Sequence, residues 1–294
     1  LTTSETPRPK GHDVPDPKSR HGHASEIQNP KPVPSARSEG PSGQALSETG
    51  RAAIRNPQSA IRNPIPVLIP LGSNVEPQPP AGFDRAVWRR KYQANADTLL
   101  LAYFGFLNES KGGEELIEAL ALLRQQGLDA RLLLIGGDVG HADPTNLAYA
   151  RRVQALIDRH ALTDFVYRTG YTGLRQVSAN LLAADVVVMP YRDGVSFRRT
   201  TLIAALRHSC PVVSTIPPAP GLIPEIHTGQ NMLLAPPDDA LALAQTIVPL
   251  AGDPALRQKL AAGAKQLGHL FEWEKIAAET VELYRAAMQA NFTR

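Results

Sequence analysis

A chain of 294 residues that is 43% hydrophobic and 20% charged can bury one large core or two modest ones, which excludes a wholly disordered polypeptide. Aromatics make up only 5%, and no run of about 20 apolar residues free of charge occurs, so a membrane-spanning helix is excluded as well. The net charge of +3 sits in the first 64 residues, with nine Lys and Arg against six Asp and Glu; the remainder holds 22 of each, without a basic stripe interleaved with aromatics, so nucleic acid is not an expected partner.

Residues 1–64 carry ten of the 26 prolines among Ser, Gly, Lys and Glu, with almost no periodic apolar residues. That composition cannot bury a core and reads as a disordered tail. It contains a tandem repeat, Ala53-Ile54-Arg55-Asn56-Pro57-Gln58-Ser59 and then Ala60-Ile61-Arg62-Asn63-Pro64-Ile65-Pro66; a proline in each copy excludes a coiled coil. Leu1 stands where Met is usual, and no charged-then-apolar leader follows, so the start reads as a truncated or mis-joined gene product.

From Ile65 onward short apolar runs alternate with amphipathic segments, the pattern of βαβ units around a parallel sheet. Strands are expected over 98–107, 131–135, 166–168, 185–190, 211–215 and 231–234. Helices are expected over 112–126, with Gly127 as its stop, over 146–162, 174–184 and 200–208, and everywhere beyond Asp238. The fold class is therefore α/β: one doubly wound, Rossmann-like domain over 65–294. The lone Cys210, set against a buried strand, forms no disulfide and reads as a small core residue; it fits a reducing compartment, the cytoplasm, whether free there or peripheral to a membrane.

In such a sheet ligands bind beyond the carboxyl ends of the strands. Two loops there share a feature that helix physics disfavours: Lys111 precedes one helix, and Arg198-Arg199 open another. A cation at a helix N-terminus is unfavourable by roughly 0.3–1 kcal/mol, and a bound anion reverses the sign. Gly112 and Gly113 let the backbone approach such an anion, so Lys111, Gly112, Arg198 and Arg199 are the candidate phosphate ligands; the plain alternative is solvated surface charge. No GxxxxGK[ST] occurs, the first strand is not followed by GxGxxG, and Gly136-Gly137-Asp138-Val139-Gly140 has the wrong spacing, which disfavours P-loop and dinucleotide enzymes. No DxD triplet and no His/Cys cluster with ligand spacing is present, so no metal or cofactor is expected and a diphosphate must be neutralised by Lys, Arg and helix ends.

In chain order stand Ile69-Pro70-Leu71-Gly72, Gly105-Phe106-Leu107 with Lys111-Gly112, Leu134-Ile135-Gly136-Gly137, Thr169-Gly170-Tyr171, Leu182-Ala183-Ala184-Asp185 before Val186-Val187-Val188-Met189-Pro190, Pro211-Val212-Val213-Ser214, Pro224-Glu225-Ile226 with Gly229-Gln230-Asn231, and Trp273-Glu274. This series resembles the C-terminal, nucleotide-sugar-binding half of the group 1 glycosyltransferases of the GT-B fold, from about Val67 to Tyr284. The resemblance implies transfer of a sugar from a nucleotide diphosphate sugar to a saccharide, lipid or small-molecule acceptor, generally retaining and without a bound metal. It implies a diphosphate on Lys111 and a base near 169–172, with Gly136, Thr169, Gly170 and Tyr171 as nucleoside-binding candidates.

There are departures. The family's arginine after the first strand is Phe106 here, and its two glutamates fall on Ser196 and Ala204. Asp193 and Ser196 are the remaining catalytic candidates, and Arg198 and Arg199 can replace the lost arginine, since guanidinium forks suit phosphate oxygens. The family's acceptor-binding half would precede this one, so a separate acceptor-binding domain is an expected partner. In the family the last helix crosses back to that half; periodicity alone favours the stripe Ile276, Val281, Tyr284 and Met288 packing on its own sheet. Two other readings stand beside this one. A binding module without catalysis fits the missing acids. A serine hydrolase is suggested by Gly194-Val195-Ser196-Phe197-Arg198, although the loop is long for a nucleophile elbow and Arg198 would crowd its oxyanion site.

Overall fold

Six strands pair in parallel: β1 (Leu99–Phe104), β2 (Ala130–Ile135), β3 (Val166–Arg168), β4 (Val186–Met189), β5 (Val212–Thr215) and β6 (Leu233–Ala235), in the order β3-β2-β1-β4-β5-β6. The computed structural model describes residues 68–137 and 144–292. The expected tail and its repeat, residues 138–140 and His141 lie outside the described residues. Both faces of the sheet are covered. Leu99, Leu101 and Tyr103 of β1 join the core under α2 (Gly113–Gln125), α3 (Pro144–Arg159) and α6 (Ala240–Gly252). The intervening Leu100 and Ala102 face α4 (Leu174–Ala183), α5 (Thr200–Arg207) and α7 (Pro254–Gly268). A strand buried on both sides must be apolar at every position, which is why Val186-Val187-Val188-Met189 is legible as a strand. Each fully buried leucine contributes roughly 1.5–3 kcal/mol.

Element ends differ from the apolar runs for local reasons. β1 stops at Phe104 because the chain turns out of the sheet at Gly105, where the Tyr103 hydroxyl donates to the Phe106 carbonyl at 3.0 Å. β6 begins at Leu233 because Asn231 is used to close the preceding turn: its Oδ1 accepts from His227 N at 3.0 Å and its Nδ2 donates to Glu225 O at 2.8 Å. α2 ends as expected, with Gly127 at φ +84° donating to Arg124 O and Leu128 to Leu123 O, the Schellman pattern.

One helix, α1 (Arg85–Arg90), has no apolar stripe to announce it and was not expected. It docks through polar contacts. Trp88 Nε1 donates to Asn180 Oδ1 at 2.7 Å, and Arg89, only 4% exposed, donates to Asp185 Oδ2 at 2.7 Å and to the carbonyls of Ala183, Asn95 and Thr98 at 3.1, 2.8 and 2.7 Å. Asp185 also accepts from Arg85 at 2.6 Å and from the β1 amide of Leu100 at 2.8 Å. This one carboxylate joins α1 to the strand it precedes.

The closing helix α8 (Trp273–Phe292) starts firmly: Trp273 Nε1 donates to Ser73 O at 2.7 Å, and Arg207 bridges Glu76 and Glu272 at 2.8 and 2.6 Å. Ile276 is buried, but Val281, Tyr284 and Met288 are 44%, 65% and 55% exposed. The expectation that the whole stripe packs on its own sheet is corrected. Among the described residues no helix is long and apolar enough to cross a membrane.

Candidate functional site

β1 and β4 are neighbours at the centre of the sheet, and the chain leaves them in opposite directions, so a crevice opens between the loops 105–112 and 190–199. The two loops touch. Gly112 has φ +66°, and a Cβ there would lie 1.9 Å from the Pro190 carbonyl oxygen, while Arg192 N donates to Ser110 O at 3.0 Å. A 3-10 turn, Glu109–Lys111, intervenes before α2, which begins at Gly113 rather than Gly112. Lys111 thereby ends a tight turn, and its Nζ curls back to the Phe106 carbonyl at 3.1 Å. A Cβ on Gly105 would stand 3.3 Å from Lys111 Nζ and 3.2 Å from Thr201 Cγ2, so the ammonium and the first turn of α5 face each other across a bare glycine. Burial, and then the nearby Arg199 guanidinium, hold the Lys111 ammonium below the ordinary lysine pKa. An anion beside the Lys111 ammonium would offset that cost.

Arg199 is the residue before α5. Its guanidinium lies 4.9 Å from the Tyr191 ring, and Nη2 donates to both oxygens of Asp193 at 2.6 and 2.5 Å. Asp193 is therefore no free carboxylate, a correction to its candidacy as a catalytic group standing alone. Arg198 is held differently from Arg199: it is exposed, and its backbone N and Nε donate to Ser196 Oγ at 3.2 and 3.4 Å. Among the described residues no histidine is bonded to Ser196 Oγ, the partner a nucleophilic serine needs. Tyr191 and Thr201 were missed by sequence reasoning, since neither belongs to a charged pattern. The Tyr191 phenol is pushed up to about 12 by burial, so it stays neutral, 3.4 Å from Thr201 Oγ1. Arg192 was missed too. It pairs with Glu114, Glu115 and Asp238 at 3.0, 2.6 and 3.2 Å.

The nucleoside candidates cluster beyond β2 and β3. Gly136 and Gly170 form an isolated antiparallel bridge, Gly136 N donates to Thr169 Oγ1 at 3.1 Å, and that hydroxyl donates to Gly170 O at 2.8 Å. Tyr171 projects from this rim, 91% exposed. Phe106, 49% exposed, packs its ring against Gly137. His208, with no expected role, is buried between Ala204 O and Ser178 Oγ at 2.7 and 2.9 Å. Among the described residues, no three His, Cys, Asp or Glu side chains converge as a metal-binding set.

Residues 98–253 match the family described as glycosyl transferases, group 1. The chain belongs to this family. The D-inositol 3-phosphate glycosyltransferase of Streptomyces avermitilis is 28% identical over 224 residues, which are 76% of this chain and 47% of that protein. The sucrose-phosphate synthase of Thermosynechococcus elongatus is 30% identical, with a TM-score of 0.61 over 76% of this chain and 53% of its own. Anabaena HepE, solved with UDP and glucose, shares the fold at 21% identity and a TM-score of 0.60, covering 71% of this chain and 54% of its own. The architecture is the Rossmann-like sheet of GT-B glycosyltransferases, and the chain spans about half the length of these relatives.

Proposed function

We propose that this group 1 glycosyltransferase chain carries the donor half of a retaining, metal-independent reaction that moves a sugar from a nucleotide diphosphate sugar to an acceptor hydroxyl. The bond from the anomeric carbon to the diphosphate breaks, its electron pair leaving with the nucleotide. A bond to the acceptor oxygen forms, and the acceptor's proton ends on the diphosphate. The observation that carries the reading is that the Lys111 ammonium and the first turn of α5 meet over the bare backbone of Gly105, at the centre of a family-matched sheet, with the Arg199 guanidinium near enough to act on that ammonium. Those cations would stabilise charge developing on the departing diphosphate, with Gly112 admitting close backbone approach and Arg198 lending a second, exposed guanidinium. Gly136, Thr169, Gly170 and Tyr171 would hold the nucleoside. That HepE was solved with UDP supports a nucleotide at this rim.

The acceptor side is assigned to a separate domain, for which the exposed Val281, Tyr284 and Met288 of α8 offer an apolar face. The test is calorimetry of the full chain against UDP, ADP and GDP, with Lys111→Ala alongside. Binding of one of them, lost or weakened at least tenfold in the variant, is expected; no binding of any of the three overturns the donor site. Binding without catalysis is favoured by one observation. The two positions where the family places carboxylates are Ser196 and Ala204, and Ala204 is fully buried in the core, so neither supplies an acid to the reaction.

A further inference from the structure

Two arginines leave the β4–α5 loop toward opposite ends, and they are held differently. Arg192 is fixed by several carboxylates at once, from Glu114, Glu115 and Asp238. Among the described residues Arg199 pairs with one carboxylate, Asp193, at the candidate phosphate site. Asp193 stands in a turn that cannot drift. Gly194 N donates to Tyr191 O at 3.2 Å, Thr215 Oγ1 donates to the same carbonyl at 2.6 Å, and Val195 N donates to Thr215 O at 3.2 Å. The backbone is thus tied to β5 while the carboxylate is 48% exposed and held by Arg199. Arg199, 21% exposed, lies over the Tyr191 ring, two residues before the Thr201 side chain that faces Lys111 across Gly105. Both Asp193 oxygens take Nη2 of Arg199, so a diphosphate seated between Lys111 and Arg199 would lay a second anion on one guanidinium, against the repulsion of the first.

We infer that Asp193 is a positioning residue that competes with the donor's diphosphate for Arg199: the diphosphate displaces it, and it returns to Arg199 as the nucleoside diphosphate leaves. The inference rests on the donor-site reading.

The experiment is calorimetry of the full chain with whichever of UDP, ADP and GDP it binds, comparing Asp193→Asn, Asp193→Glu, Arg199→Ala and the Asp193→Asn/Arg199→Ala double variant. Removing one charge at a part-exposed site should tighten nucleotide binding by roughly three- to tenfold in Asp193→Asn. Asp193→Glu, which keeps the competitor, should stay near wild type. In the Arg199→Ala background the gain from Asp193→Asn should shrink to less than about twofold, because the fork being contested is gone. Unchanged or weaker binding in Asp193→Asn overturns the exchange, and so does an equal gain in both backgrounds, which would be simple repulsion. These results differ from failure of the donor site itself, in which the wild-type chain binds none of the three nucleotides.

Discussion

Replacing Gly112 by alanine perturbs the point where the two functional loops meet. The added methyl faces two separate penalties. At φ +66° any residue with a Cβ is strained by roughly 1–2 kcal/mol. The methyl would also stand 1.9 Å from the Pro190 carbonyl oxygen and 3.0 Å from its carbon, so the backbone of one loop must retreat by more than 1 Å. The carbonyl it strikes belongs to main chain and cannot rotate aside as a side chain would. Together these put the cost at about 3–4 kcal/mol, in the range of strain at a special backbone position combined with overpacking. Gly127→Ala isolates the first penalty: its φ is +84° and nothing lies within 4 Å of the new atom, so about 1 kcal/mol is expected there. Urea unfolding of both variants gives the difference, and calorimetry shows whether moving Lys111's neighbour also weakens nucleotide binding. Equal unfolding midpoints for the two variants would refute the claim that loop contact, rather than backbone conformation alone, demands glycine at 112.

Asp185→Ala should cost about 3–5 kcal/mol in chemical denaturation, because it strands the buried Arg89 guanidinium without a counter-ion; a midpoint within error of wild type counts against that account. The Cys210 thiol is pushed up to about 12 by burial, so the native chain should resist iodoacetamide at pH 8 and be alkylated only on unfolding, as mass spectrometry would show. Glu272 is held below the ordinary carboxylate range by His269 and then Arg207. A depressed folded pKa means stability present above the unfolded value and lost as pH falls through the folded one, so Glu272→Gln should flatten acid unfolding below about pH 4.3. Lys111 titrates below the ordinary lysine, so an arriving diphosphate should raise its pKa again; calorimetry in buffers of different ionisation enthalpy, just below pH 10.4, should show proton uptake that Lys111→Met abolishes.

The sheet was legible because parallel strands covered on both faces carry no polar position to interrupt them, and 186–189 and 212–215 follow that rule. α1 was not legible, because Arg89 and Trp88 dock it by hydrogen bonds to partners about 90 residues away, which no periodicity records. The site shows the same division. Lys111 and Arg199 stand out as cations at helix starts, where the dipole disfavours them. Arg198 carries the identical local signal yet turns to Ser196, and only the loop's path separates the two. Neither Tyr191 nor Thr201 has a charge to mark it, though one supports Arg199's guanidinium and the other faces Lys111.

The acids beside the site bear on whether it can hold an anion at all. Glu114 and Glu115 occupy the first turn of α2, where the helix dipole favours carboxylates by a few tenths of a kcal/mol, but they lie within a few residues of Lys111. Left unpaired they would cancel the ammonium that the donor site needs. Arg192 takes Glu115 at 2.6 Å and Glu114 at 3.0 Å, and Arg152 takes Glu114 at 3.1 Å and Glu109 at 3.2 Å. The favourable helix start is kept while its negative charge is paired by arginines. That leaves Asp193 as the carboxylate directed at the phosphate cations, and it is placed on a turn whose backbone is pinned and whose side chain can leave. Neutralisation that is permanent at Arg192 and reversible at Arg199 is what a site needs if it must accept a diphosphate and then release it.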